Sequence, residues 1–334
     1  MNRPTLTLAI ADYDRVAALA DGRVRPEGFD LAVQTLAPSE TFYRMLSEDA
    51  FDVSEMSLSS FLIAREQGRE WTAVPVFPYR TAFHVNVYVN ETAGVSAPAD
   101  LAGKRFGLTE YQVTAALWTR GVLQHDFGLD LRDVEWFVER SPSLSHGGET
   151  GFTPPPGIRI TQMGPDETLA DMLVDGRLDA VLPSPYPRMA SRLNRTDEAE
   201  LARTPGVARL FPDPIAEVER YFRDHGFLHL NHTVVVQTRV LERLPDLPLQ
   251  LVAAFSQAKS LAYEGLEKLR KSSLVSGVLL VERQRGIFGD DPFPYGLAAN
   301  RDAVQTLVGY SAEQGLIERA PAADDLFGES TRST

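Results

Sequence analysis

Residues 5–11, TLTLAIA, alternate apolar and small polar side chains with a period of two, the pattern of a half-buried strand. A second such run, FDLAVQTL (29–36), follows the Pro26/Gly28 turn. PSETFYRMLSE (38–48) then changes to helical spacing, with Ser39 as its expected N-cap. FDVSEMS (51–57) reads as a short buried strand and SLSSFLIAREQG (57–68) as a helix closed by Gly68. WTAVPVF (71–77) and the strictly alternating FHVNVYVN (83–90) read as two more strands. Strand–helix–strand units in series build a mostly parallel sheet covered by helices.

After a Pro-containing linker the pattern restarts. KRFGL leads to a helix beginning near Gln112, followed by strands VEWFVE (134–139) and IRITQM (158–163), helix DETLADMLVDG (166–176) and strand LDAVLPS (178–184). A Gly/Pro/Ser-rich insert, SPSLSHGGETGFTPPPG (141–157), interrupts this half as a long loop. HLNHTVVVQT (229–238) is a strand that returns the chain to the first sheet, and the remainder is helical over 247–271, 273–288 and 300–315, with Asn300 as the last N-cap. The layout is α/β: a two-lobe, periplasmic-binding-protein-like (type II) fold in which each lobe is a mostly parallel sheet flanked by helices. Lobe I takes residues 1–92 and 228–334, lobe II residues 93–227, with a ligand cleft between them. Ligands of such sheets sit beyond the carboxyl ends of the strands, where helix N-termini favour anions. That rule nominates Asp12 and Tyr13, Glu55 to Ser60, Glu110 to Thr114, and Ser184 to Tyr186.

Charge and composition narrow the partners. Acidic residues outnumber basic ones 46 to 33, a net charge of −13, and no Lys/Arg run stands out, which disfavours nucleic acid and anionic membrane surfaces. With no cysteine, disulfides, thiolate nucleophiles and Cys-based metal sites are excluded together. The apolar run before Asp12 is too short for a signal-peptide core and no stretch is long enough to span a bilayer, so the expected location is cytoplasmic. Association of the chain with copies of itself stays open.

HGFLHLNHTVVV (225–236) holds three of the six histidines. On one helix their spacing would place all three on one face and make a metal trio. Gly226 and the strand composition of LNHTVVVQT argue against that, since His229 and His232 then point to opposite faces. No metal is expected; His225 and His229 read as structural, while His232 sits where the chain crosses between lobes. At the other crossover, PYRTAFHVNVYVN supplies Arg80, suited to clamp a carboxylate or to pair with a surface acid, and His84. The two crossovers place Arg80, His84 and His232 within reach of one cleft. SEMSLSS brings Glu55, Ser57 and Ser60 to a strand–helix junction, and TEYQVTAA brings Glu110 and Thr114 to another; capping explains one hydroxyl, an anion-binding turn the rest. FGDDPFPYGLAANR (288–301) holds Tyr295 in a rigid loop that is either a structural turn or a cover for the cleft. No phosphate loop, dinucleotide fingerprint or nucleophile elbow is present.

Four segments, FDVSEMSLSSFL, GKRFGLTEYQVTAALWTRGVLQ, HTVVV and DPFPYGLAANRDAVQTLVGYSAEQGL, together resemble the 4,5-dihydroxyphthalate decarboxylases, and the resemblance runs from about residue 5 to 327. It covers Glu55, Ser57, Glu110, Tyr111, His232 and Tyr295. It implies cofactor-independent, non-oxidative decarboxylation of a hydroxylated aromatic acid by protonation of the ring carbon that bears the leaving carboxylate. On this reading His232 is the proton donor with His84 its competitor. Arg80 and the Ser57/Ser60 helix terminus hold carboxylate, and Glu55 or Glu110 accepts from a phenol. Tyr186 or Tyr295 packs on the ring. The competing reading is a small-anion binding protein of the same fold without catalysis.

Overall fold

Thirteen strands alternate with helices in the computed structural model, which describes residues 3–141, 143, 152–186, 193 and 195–334. Thr5–Ile10 (β1), Asp30–Thr35 (β2) and Val53–Ser57 (β3) pair in parallel, as their connecting helices require. Trp71–Val74 (β4) ends the first chain segment of this sheet. Arg80–Thr81 (β5) then leads out of it to a second sheet made by Tyr88–Asn90 (β6), Arg105–Leu108 (β7), Glu135–Val138 (β8), Arg159–Gln162 (β9), Ala180–Leu182 (β10) and Val207–Arg209 (β11). Its order is β11-β6-β10-β7-β8-β9, parallel from β10 to β9 and antiparallel at β6. His229–Leu230 (β12) brings the chain back, antiparallel to β5, and His232–Gln237 (β13) inserts between β3 and β4 to complete the order β2-β1-β3-β13-β4. The first sheet is therefore drawn from both ends of the chain, and the two crossover segments hydrogen-bond to each other.

Apolar residues at alternate strand positions account for the layers. Val53, Val234 and Val236 face one side, with Phe255 and Leu251 of helix Leu247–Leu266; Met56 and Val235 face the other, in a core that continues to Trp118 and Trp136 of the second lobe. Several local expectations are corrected. FHVNVYVN is not one strand: Phe83–Asn86 is a 3-10 turn and only β6 is extended, and β6 joins the second sheet although the expected boundary lay after it. Ser39 is inside its helix, because Pro38 occupies the first turn and Ala37 is the N-cap. The second-lobe helix starts at Thr114, and Asn300 precedes its helix without a capping bond because its side chain reaches Pro294, Gly296 and Arg80 instead. Of the 141–157 insert, residues 142 and 144–151 lie outside the described residues.

The three clustered histidines separate. Helix Pro214–His225 stops at Gly226, whose left-handed φ of 76° suits glycine, so the trio does not share a helix. His225 takes Asp126 at 3.1 Å, and His229 stacks on Trp118 with ring centroids 4.7 Å apart. The Phe83 N–H donates to His229 Nδ1 at 3.1 Å, which fixes the neutral tautomer. Burial pulls His229 well below its ordinary range; it also lowers His84, against the opposing pull of Glu217. In both cases the unfolded chain takes up the proton first, so their contribution to stability is complete above the unfolded value of about 6.5 and is lost as pH falls below it. The melting temperature should therefore drop from about pH 7 to about pH 5. His229→Asn, which cannot titrate but keeps an acceptor for Phe83, should flatten that slope in calorimetric scans; an unchanged slope would remove His229 from the account.

Candidate functional site

The antiparallel register sets Ser57 opposite His232 and Glu55 opposite Val234, so all four side chains leave the same face of the sheet. On that face Val53 belongs to the core, while Glu55 and Ser57, nearer the carboxyl end of β3, are buried but polar. Three donors converge on Glu55: the Ala11 N–H at 2.9 Å, the Tyr13 hydroxyl at 2.7 Å and His232 Nδ1 at 2.5 Å. With Nδ1–H committed to Glu55, His232 Nε2 is the nitrogen left for a ligand, and it lies 3.0 Å from Asn231 Nδ2. Phe42 packs edge-on against the imidazole at 4.8 Å.

His232, Asn231 and Phe42 form one wall of a cavity enclosing ≈ 570 Å³ of atom-free space, mouth included. Ser39 and Ser57 complete the first-lobe side; Thr109, Thr114, Arg140, Ser184 and Tyr186 come from the second. A knot of hydroxyls ties the lobes together: Ser57 Oγ to Thr114 Oγ1 at 2.8 Å, the Ser59 N–H to Thr114 Oγ1 at 3.1 Å, and Ser59 Oγ donating to the Gln112 carbonyl at 2.6 Å. Tyr186 and Tyr13 hydroxyls meet across the cleft at 3.2 Å; since Tyr13 donates to Glu55, Tyr186 donates to Tyr13. Burial, reinforced by the Glu55 charge, raises both phenols well above their ordinary range, so both are donors near neutrality. Arg140 brings a cation to the cavity wall and is ion-paired with the buried Glu110, which also accepts from Gln112.

The residues expected from sequence thus divide. His232, Ser57, Thr114 and Tyr186 line the cavity, with Glu55 and Glu110 one layer behind, holding His232 and Arg140. Arg80 and His84 are not brought there. Arg80 donates to the Pro294 carbonyl and to Asn300 Oδ1, and His84 Nε2 pairs with Glu217 at 2.8 Å among Phe211, Tyr221 and His229. Tyr295 is half-buried under Lys259, and Ser60 Oγ is enclosed without a hydrogen-bond partner among the described residues. Arg140, Asn231, Ser39 and Phe42 were missed. The signal for Arg140 was present, because it is the second residue past β8, as Glu110 and Ser184 are past β7 and β10.

No family model matches the chain. The 4,5-dihydroxyphthalate decarboxylase of Comamonas testosteroni is 31% identical over 333 residues, 98% of this chain and 97% of its own. That of Pseudomonas putida is 33% identical over 224 residues, 67% of this chain and 83% of its own. Among solved structures, the periplasmic aliphatic sulphonate binding protein SsuA from Escherichia coli matches with a TM-score of 0.55 at 14% identity, over 100% of both chains. The alkanesulfonate-binding protein SsuA from Xanthomonas axonopodis pv. citri bound to MOPS gives 0.54 at 14% identity, over 98% of this chain and 99% of that one. These likenesses carry the two-lobe binding-protein-like fold and nothing finer.

Removing one partner of a buried ion pair strands the other charge, at a typical cost of about 3–5 kcal/mol. Glu110→Ala should lose stability on that scale in urea titrations. A loss below about 1 kcal/mol, the level of an exposed pair, would mean that Glu110 does not neutralise Arg140.

Proposed function

As the chain belongs to the 4,5-dihydroxyphthalate decarboxylase family and is a carbon–carbon lyase, we propose that it converts 4,5-dihydroxyphthalate to protocatechuate and CO2. The observation that carries the mechanism is the buried Glu55–His232 pair opening on a cavity whose far wall holds Arg140. Arg140 and the Ser57/Thr114 hydroxyls receive the carboxylates, and Phe42 and Tyr186 flank the ring. His232 Nε2 delivers a proton to the ring carbon bearing the leaving carboxylate. The hydroxyl para to that carbon stabilises the resulting cation as a ketone-like species. The carbon–carboxylate bond then breaks, its electron pair restores the aromatic ring, and CO2 leaves, so one proton is consumed per turnover.

Glu55 acts through His232, balancing the imidazolium charge and fixing Nδ1–H, and Tyr13 and the Ala11 N–H fix Glu55 in turn. Glu110 is likewise committed to Arg140, so neither carboxylate serves the phenol; the lining hydroxyls do. A binding protein without catalysis is not favoured, since both curated relatives are named decarboxylases. No helix among the described residues is long and apolar enough to cross a membrane, and a cytoplasmic location is part of this proposal.

His232→Gln should lower kcat by about 100-fold or more while leaving KM within a few-fold, since general acid catalysis is worth that much. Arg140→Met should act chiefly on KM, and His84→Gln should leave turnover near the parent level. The assay follows CO2 and protocatechuate from 4,5-dihydroxyphthalate. Full turnover by His232→Gln would exclude it as the donor, and tight binding without turnover by the parent would favour the binding-protein reading.

A further inference from the structure

Asn231 is the single residue between β12 and β13, and its main chain is held on both sides. Its N–H donates to the Tyr79 carbonyl at 3.0 Å, and its carbonyl accepts from the Leu58 N–H at 3.1 Å. Strand pairing changes at this point from β5 to β3, so the consecutive residues Asn231 and His232 both reach the catalytic cavity instead of alternating away from it. Asn231 is 5% exposed, and its Nδ2 lies 3.0 Å from His232 Nε2.

An amide nitrogen only donates, so His232 Nε2 accepts from Asn231 while Nδ1–H is committed to Glu55. The imidazole is thereby held without a proton on the nitrogen that the proposed mechanism uses. A proton on Nε2 would set two N–H groups against each other at 3.0 Å, so the amide has to leave before Nε2 takes from solvent the proton that each turnover consumes. A carboxylate draws an amide N–H more strongly than a neutral imidazole does, because a charged acceptor makes the shorter and stronger bond. An anionic oxygen of the substrate beside Nε2 is therefore the group that releases Asn231.

The diacid brings two carboxylates near. The one on the protonated carbon loses its charge as CO2 forms, so a donor fixed on it would favour the ground state and hold back the bond that breaks. The one on the neighbouring ring carbon keeps its charge throughout and lies beside the attacked position. Protocatechuate lacks such a neighbour, yet its remaining carboxylate is again para to a hydroxyl, so ring protonation is chemically open to it a second time. His232 and Glu55 alone do not tell the two acids apart.

Resting on the decarboxylation put forward above, we propose that Asn231 is the specificity-determining residue that confines it to acids with two adjacent carboxylates. The retained carboxylate takes the Asn231 Nδ2–H, which frees His232 Nε2 to be protonated. A monoacid leaves the Asn231–His232 bond closed, and the reaction stops after one CO2.

The test compares the parent with Asn231→Ala on 4,5-dihydroxyphthalate and on protocatechuate, following CO2 and catechol. The parent should form no catechol. In Asn231→Ala, kcat/KM for the diacid should fall about 10-fold or more, the loss expected for one hydrogen bond to a charged group, while catechol appears from protocatechuate. Equal falls in diacid turnover and in phthalate and benzoate binding, the mark of a merely structural side chain, or catechol made by the parent, would overturn the proposal. Calorimetric binding of the unreactive pair phthalate and benzoate separates this from failure of the decarboxylase reading. Asn231→Ala should weaken phthalate about 10-fold and leave benzoate nearly unchanged. A parent that shows this split without turning over the diacid loses the decarboxylase reading and keeps the Asn231 contact. Should Asn231→Ala fail to fold, a crystal of the parent with phthalate decides. Asn231 Nδ2 on a carboxylate oxygen and away from Nε2 supports the switch, and Nδ2 still on Nε2 beside bound phthalate refutes it.

Discussion

The insertion of β13 between β3 and β4, antiparallel to both, is the constraint on which the rest of the molecule depends. A parallel neighbour would have sent the chain away from the cleft, whereas the antiparallel return starts β13 at the carboxyl end of β3, so its first residue, His232, stands opposite Ser57. One diagonal step along the same face puts the imidazole on Glu55, and the donors that fix Glu55 come from the end of β1, the adjoining strand. A one-residue slip of β13 would turn His232 to the opposite face and bury an unpaired carboxylate in the sheet. Register and chemistry are therefore specified together.

That explains what could be read from the chain and what could not. The alternating and helical periods placed nearly every strand of the first sheet, and the rule of strand carboxyl ends reached Tyr13, Glu55, Ser57, Glu110, Thr114 and Tyr186 because it depends only on chain direction. His232 was legible because Gly226 ended one helix and the β-branched run HTVVV began one strand. The convergence of Arg80 and His84 on the same cleft was not real. Proximity to a crossover fixes where the backbone passes but not which way a side chain turns, and in a 3-10 turn His84 has no strand parity to obey. Arg80 was claimed by the Pro294 carbonyl and Asn300, a contact between residues 220 positions apart that no local pattern encodes.

The cavity walls belong to both lobes, and the contacts that close it are short polar ones. Ser57, Ser59 and Thr114 share hydroxyl bonds across the cleft, and Tyr186 reaches Tyr13, which in turn holds Glu55. Each of these bonds is worth about 1 kcal/mol net, and they add to an apolar core that runs from Met56 and Val235 to Trp118 and Trp136 across the two lobes. The Glu55–His232 pair is contained in one sheet and depends on none of these contacts between lobes except through Tyr13. On the proposed mechanism the proton donor is thus preorganised within one lobe, whereas the groups that orient the carboxylates come from both.

The fold is shared at 14% identity with sulphonate-binding proteins, and the proposed proton transfer asks more of it than the capture of an anion does. Capture of an anion calls for cations, hydroxyls and backbone N–H groups on the two walls, and all of these can come from loops at strand ends. It does not call for a carboxylate buried at 0% exposure behind an imidazole, which is costly to desolvate and contributes nothing to holding an anion except repulsion. In the proposed mechanism the buried carboxylate behind His232 balances the charge that the imidazole carries while it holds the proton. On the proposed mechanism, the placement of Glu55 on a central strand, held by three donors, is the feature that serves proton transfer rather than capture.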